Sequence, residues 1–190
     1  LPKWILEYEF SCVMGLLDRA TVLKVRGALI DARLDDTVIE LAKTARTAED
    51  AANSIGCELG AIVKSLVFAV GEHFVMVLVA GDHRCIEDSL AAAFKLEGDV
   101  VRPKAAEVKH ITGFTIGGVA PITLPQAFFS VMDTSLTRFN TVYAAAGHPH
   151  CVFSISVLNL ERITGSFFST CIAEPIISDT RSVPSSIKRH

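Results

Sequence analysis

Residues 60–68 read Gly-Ala-Ile-Val-Lys-Ser-Leu-Val-Phe, a run of strand formers with one lysine at its middle. Strand side chains alternate between faces, so Lys64 shares its face with Ile62, Leu66 and Phe68, while Val63, Ser65 and Val67 point the other way. Gly71-Glu72 then reads as a turn, and residues 74–80 as an antiparallel partner that completes a hairpin. An ammonium among apolar neighbours is costly unless it is paired or reaches water. Such a lysine either snorkels to an edge or lines a pocket that uses its charge, and alternation by itself leaves both open.

The same patterning predicts the flanking elements. Apolar residues at Leu16, Ala20, Leu23, Gly27 and Ile30 fit an amphipathic helix over 16–30, weakened by the glycine. Residues 38–41 read as a short strand. Thr47-Ala-Glu-Asp50 is a capping box, so a helix should run over 48–55 and stop at Gly56. Helical stretches at 86–94 and 104–111 flank a short strand at Val100-Val101, with Pro103 ending the strand and Gly113 the second helix. Strands follow at 128–132, 142–146 and 151–156, then a helix at 157–163 closed by Gly165, and a final strand at 167–173. Gly147-His148-Pro149 reads as a turn. Two glycines and two prolines within the apolar stretch 115–125 mark a loop that needs unusual backbone angles or close approach.

Hairpins mixed with short helices predict an α+β fold, one mixed β-sheet with helices on its outside. Residues 16–173 form that domain. Residues 1–15 read as an N-terminal extension, with Met14 an alternative start, and 174–190 as a mobile tail of Ser, Pro and charge.

Composition narrows the function classes. The 190 residues suit one domain with a sizeable core, half of them apolar and 21% charged, at a mean hydropathy of +0.41. The longest apolar run, residues 74–81, is far short of a membrane span, and Glu7 and Glu9 interrupt any signal-peptide core, which places the protein in the cytoplasm with no membrane partner. With 18 basic and 21 acidic residues and a pI near 6.1, the chain lacks the basic footprint of a DNA-binding protein. Local basic clusters stand at Arg102, Lys104, Lys109 and His110, and at Arg181, Lys188, Arg189 and His190. Five scattered cysteines, Cys12, Cys57, Cys85, Cys151 and Cys171, form no C-x-x-C pair and read as reduced thiols.

No G-x-S-x-G elbow, H-E-x-x-H, Walker loop or G-x-G-x-x-G is present. His148, His150 and Cys151 have no second ligand pair elsewhere in the sequence, so no metal is expected. The remaining candidates are Lys64, the Gly117-Gly118 loop, Asp133 at a strand end, and Gly147-His148-Pro149. Each also has a structural explanation: the glycines turn the chain, Asp133 caps the residues after it, and the histidine sits in a turn.

Taken in order, Thr47-Ala-Glu-Asp-Ala-Ala52, Gly56, Ile62-Val-Lys-Ser-Leu66, Gly81-Asp-His-Arg84, Thr112-Gly-Phe114, Gly117-Gly-Val-Ala-Pro121, Met132-Asp133 and Gly147-His-Pro149 resemble the YbaK/EbsC family. That is the fold of the editing domain in bacterial prolyl-tRNA synthetases and of its freestanding relatives. The resemblance covers about residues 38–173 and implies a curved sheet and a trans-editing hydrolase that deacylates mischarged aminoacyl-tRNA. It implies no cofactor. Lys64 matches the family's essential lysine, and Gly117, Gly118, Val119, Pro121, Asp133, Gly147, His148 and Pro149 would shape the substrate pocket. The partner would be the acceptor end of aminoacyl-tRNA, with a synthetase as a further partner.

Chemistry agrees with that implication. Ester hydrolysis builds negative charge on the carbonyl oxygen, which an ammonium and the backbone N–H groups of a glycine loop would stabilise by about 3 kcal/mol per donor. Water, held by backbone carbonyls or by the substrate's terminal ribose hydroxyl, would attack without a protein nucleophile. Where the family often has glycine after the loop proline, this chain has Ile122 and Thr123, a departure that bears on pocket size. Cysteine, alanine, serine and threonine are all candidate amino acids. Two other readings are a non-catalytic module that binds an aminoacyl group or amino acid, and a metal-dependent hydrolase built on His148, His150 and Cys151.

Overall fold

The computed structural model describes residues 15–42, 47–125 and 128–177. The candidate start at Met14, nearly all of the expected N-terminal extension, Cys12 and the tail's basic cluster lie outside the described residues. Among the described residues, no helix is long and apolar enough to cross a membrane.

The lysine-bearing hairpin forms the middle of the sheet. Strand β2, Ile62–Val70, pairs antiparallel with β3, His73–Ala80, in unbroken register from Val63↔Ala80 to Val70↔His73. Around it stand β1 (Val38–Glu40), β4 (His83–Cys85), β5 (Val100–Val101), β6 (Phe129–Asp133), β7 (Val142–His148), β8 (Cys151–Ile155), β9 (Phe167–Ser169) and β10 (Ala173–Pro175). Among the described residues the main sheet has eight strands, in the order β1-β8-β7-β2-β3-β6-β9 with β5 added to β2, and it mixes parallel with antiparallel pairs. It curls into a half-barrel flanked by helices, the curved α+β single domain expected.

Burial explains the apolar run of β3. Met76, Leu78 and Ala80 enter a core under α1 (Ala20–Asp31), α4 (Ala105–Thr112) and α5 (Val157–Thr164), together with Val25, Val108 and Leu160. Val75, Val77 and Val79 enter the opposite layer with Phe68, Ile172 and Leu90 of α3 (Leu90–Phe94). A strand covered on both faces has no reason to alternate. A third cluster joins Ile62 and Val152 beneath Ala51 and Ala52 of α2 (Ala48–Ile55). Helix α2 begins as its sequence dictates: Thr47 accepts the Asp50 N–H at 3.0 Å, Asp50 accepts the Thr47 N–H at 3.1 Å, and Gly56 ends the helix in the left-handed conformation.

Three expectations need correction. The 16–30 helix begins only at Ala20, after a short 3-10 turn at Leu16–Asp18. Gly147-His148 belongs to β7, with a bulge between Ala145 and His148, so the turn is Pro149-His150. The final strand is two: β9 extends the main sheet, and β10 leaves it to pair with β4, a strand that patterning missed. Glu174 and Pro175 are therefore strand residues rather than tail.

Ile122 and Thr123 have separate roles. Ile122 is 3% exposed in the main core, while Thr123 has φ of 68° and a buried hydroxyl without a partner among the described residues. A β-branched residue in the left-handed region is strained by about 1–2 kcal/mol, and an unsatisfied buried hydroxyl adds about 1–3 kcal/mol. Replacement by glycine costs about 0.5–1 kcal/mol of backbone entropy. Thr123→Gly should therefore stabilise the protein by about 1 kcal/mol, raising Tm by roughly 2–4 °C in a thermal melt. A lower Tm would contradict this account of the strain.

Candidate active site

The sheet opens beside Lys64. Strand β2 pairs with β7 only at Ile62↔Tyr143 and Val63↔Ala144, and with β5 only at Ala69↔Val101 and Val70↔Val100. Between those ladders one edge of residues 64–68 has no neighbouring strand among the described residues, although β3 pairs the other edge throughout. A cleft of about 370 Å³ fills the opening. Its walls are the 62–66 stretch of β2, Tyr143 to Ala145 of β7, α2 on one side, and the loop residues Ile116, Gly117 and Val119 across the top.

Lys64 lies opposite Val79, on the side of the sheet where Leu66 and Phe68 pack. Its ammonium does not snorkel into water. The Nζ donates to the Gly81 carbonyl at 3.2 Å, in the turn that joins β3 to β4, and to the carbonyl of His83, the first residue of β4. An ammonium has three N–H donors, so one remains for a further acceptor. Burial lowers the Lys64 pKa, and electrostatic interaction with Asp82, Cys85 and Asp133 opposes that shift, Asp82 foremost.

The Gly-Gly loop and the Gly-His-Pro stretch meet. Gly117 lies against the Pro149 ring, where a Cβ would sit 3.6 Å from Cγ. At Gly118 a Cβ would fall 2.8–2.9 Å from the backbone of His148, closer than any side chain allows. Gly147, with φ of 86°, packs on helix α1, where a Cβ would stand 2.5 Å from the Thr21 carbonyl oxygen. These glycines dock the loop and the helix onto the end of β7. The Gly118 N–H is spent on the Thr115 carbonyl at 2.9 Å, and Ile116, Gly117 and Val119 are the loop residues that line the cleft.

Of the residues singled out from sequence, Lys64, Gly117, Val119 and Pro149 line the cleft, whereas Gly118, Pro121, Asp133, Gly147 and His148 stand behind its lining. Pro121 is buried. Asp133, 4% exposed, accepts from the Ser135 N–H at 2.9 Å, from the Ser135 hydroxyl and from the Ala80 N–H at 3.5 Å. His148 uses Nδ1 to accept the His150 N–H at 3.2 Å, and burial, followed by the charges of Arg19 and His150, lowers its pKa. That bond withdraws one His148 nitrogen from any metal set with His150 and the buried Cys151. Neither Ile122 nor Thr123 lines the cleft.

Sequence reasoning missed several wall residues. Thr47, Ala48 and Ala51 belong to a helix whose signals were purely local, and Tyr143 sits in a strand that showed no chemistry. Ser65 also lines the cleft, and its hydroxyl is buried without a partner among the described residues. A serine directly after the lysine was the signal available for it.

The model of the aminoacyl-tRNA editing domain family matches residues 42–163. The uncharacterized protein YwhH of Bacillus subtilis is 31% identical over 133 residues, spanning 70% of this chain and 83% of that protein. A proline--tRNA ligase of Stenotrophomonas maltophilia is 30% identical over 144 residues, 74% of this chain but 24% of the ligase, so the chain spans about a quarter of that relative. Among solved structures, a candidate trans-editing enzyme for prolyl tRNA synthetase superposes with a TM-score of 0.75 at 31% identity, covering 82% of this chain and 98% of the other.

The glycine contacts yield opposite expectations at two positions. Gly118→Ala should push the loop off His148 and cost about 1–3 kcal/mol. Gly27→Ala, inside α1 with nothing within 4 Å of the added carbon, should gain about 0.5–1 kcal/mol. Urea unfolding of both variants checks the pair; equal midpoints would show that Gly118 is not a contact point.

Proposed function

The chain belongs to the aminoacyl-tRNA editing domain family, and from that premise we propose that it is a deacylase that hydrolyses the ester of mischarged aminoacyl-tRNA in trans, in the cytoplasm. The observation that carries the reading is Lys64, a residue of the cleft wall whose ammonium is held by the Gly81 and His83 carbonyls with one N–H unused among the described residues. A lysine needed only for packing would snorkel to water; this one is kept half-buried beside an opening in the sheet. Resemblance to a solved chain matched over nearly its whole length, itself a candidate trans-editing enzyme, supports action in trans.

In this mechanism the aminoacyl ester enters the cleft with its carbonyl oxygen toward Lys64. As water, held by backbone carbonyls or by the substrate's terminal ribose hydroxyl, attacks, negative charge grows on that oxygen, and the ribose oxygen leaves as the ester bond breaks. The free N–H of Lys64 and the backbone donors of Gly117 and Val119 stabilise that charge, in surroundings of low polarity supplied by Ile62 and Leu66. The pocket suits small amino acids: cysteine, alanine, serine or threonine. The net charge of −3 favours contact with the acceptor end alone, or delivery by a synthetase.

Cys-, Ala-, Ser-, Thr- and Pro-tRNA incubated with the wild-type protein and with Lys64→Ala test the reading. At least one ester should be cleaved well above its spontaneous rate, and the substitution should reduce that rate by about 100-fold or more. No cleavage above background, or an unchanged rate in Lys64→Ala, overturns it. Saturable binding of aminoacyl-tRNA without turnover would instead identify a binding module.

A further inference from the structure

The turn that holds Lys64 is itself held. Asp82 lies between the two residues whose carbonyls accept from the ammonium, and its carboxylate oxygens both stand 2.9 Å from Nη2 of Arg138. His83 Nδ1 lies 2.7 Å from the same carboxylate. Arg138 in turn donates from Nε to the Ser135 carbonyl at 2.8 Å and stacks 5.0 Å over the Phe139 ring. Ser135 is fixed by Asp133, which also accepts from Ala80 at the end of β3. The ring of contacts therefore leaves β3 through the turn, crosses to the 3-10 helix Thr134–Arg138, and returns through the end of β6.

Gly60 leaves room for this closure. A Cβ there would lie 2.8 Å from Arg138 Nη2, Asp82 Oδ2 and Phe139 Cζ alike. The ion pair is only partly exposed on its Asp82 side and lies against the chain that leads into β2. Its placement is specific to the turn.

Resting on the deacylase reading, we propose that Asp82 and Arg138 are positioning residues for the reaction: their ion pair fixes the Gly81–His83 turn so that its carbonyls hold the Lys64 ammonium at the cleft with one N–H left for the substrate. Neither residue lines the cleft. They act through Lys64.

The charges around Lys64 make the proposal specific. Asp82 and His83 face it from the turn, Cys85 from β4, and Asp133 from β6, with Arg138 behind Asp82. Burial pushes the Cys85 thiol up to about 11, so it is neutral at ordinary pH, and Asp133 is engaged by Ser135 and Ala80. Asp82 is thus the nearby charge that most favours a protonated Lys64. A lysine that stabilises an oxyanion works only when charged, so activity is full below its pKa and lost as pH rises through it. Asp82→Asn should move that loss to lower pH. Removing Arg138 frees the turn but leaves the Asp82 charge, so it should not.

The test uses the full chain with two readouts. Protein labelled with 13C at the lysine Cε reports the Lys64 titration without substrate, its resonance identified by its absence in Lys64→Ala. Deacylation of the preferred aminoacyl-tRNA, corrected for spontaneous hydrolysis, gives kcat and KM against pH. In Asp82→Asn the Lys64 titration and the alkaline limb of the rate profile should both move to lower pH, with kcat reduced at least tenfold and KM near wild type. Arg138→Gln should lower kcat without lowering the titration, and Arg138→Lys, which can restore a single contact to both oxygens, should recover most of the rate. An unmoved Lys64 titration in Asp82→Asn, or a wild-type kcat in Arg138→Gln, overturns the proposal. If the wild type deacylates nothing while the titration still shifts, the reaction is misassigned but the control of Lys64 by Asp82 stands.

Discussion

The rest of the site depends on how one ammonium is kept inside a sheet. Lys64 sits on the central strand, among residues that form a core, where a lone charge would be driven to neutrality or to the surface. Two backbone carbonyls prevent both outcomes. They come from a turn next to β2 in space and 17 and 19 residues away in sequence, brought there by the β2–β3 register. Had the hairpin slipped by one residue, Lys64 would face the main core instead, and the turn would present nothing to it. Register is specified strongly because both faces of β3 are buried, so every slip exposes or buries the wrong residues. The stability of the hairpin and the placement of the charge are therefore one constraint.

Local signals were read well because their physics is local. The Thr47–Asp50 capping box, the Gly56 stop, the Gly71-Glu72 turn and the Gly113 and Gly165 terminations are decided within a few residues, and each stands where patterning put it. The lysine's face followed from alternation alone. What patterning could not supply was pairing at a distance. The pairing of β10 with β4 joins segments about 90 residues apart, and His83–Cys85 carries no strand signal of its own. The bulge that carries β7 on to His148 depends on Gly147 meeting α1, a contact with nothing in the local sequence to announce it.

The family resemblance named candidate residues, and the structure gives them different places. Gly117, Gly118 and Gly147 were expected to shape the substrate pocket. Only Gly117 lines the cleft; Gly118 and Gly147 are close because other backbone occupies the space. Asp133 likewise turns inward to Ser135 and Ala80 rather than outward to the pocket. A motif is compatible with direct contact and with support from behind, and the two differ only in three dimensions. At about 370 Å³ the cleft is near the lower end of ligand pockets, which start at about 300 Å³. Its walls are chiefly aliphatic, and exclusion of one methylene by such walls is worth only about 1–3 kcal/mol.

The opening itself carries a cost that helps to explain its form. Parallel neighbours β2 and β7 separate after Val63 and Ala144, and the polar backbone along one edge of residues 64–68 loses its ladder there. Buried backbone groups without partners are expensive, so a gap in a central sheet persists only where something else meets them. Antiparallel pairing with β3 along the other edge keeps the strand in place, and the 116–119 loop closes the top without filling the space, because Gly117 has no side chain to project into it. A polar, narrow guest such as an ester can restore hydrogen bonds that water otherwise supplies. The same break that weakens the sheet thereby leaves Lys64, the 116–119 loop and a strand edge without a partner strand among the described residues around one small volume.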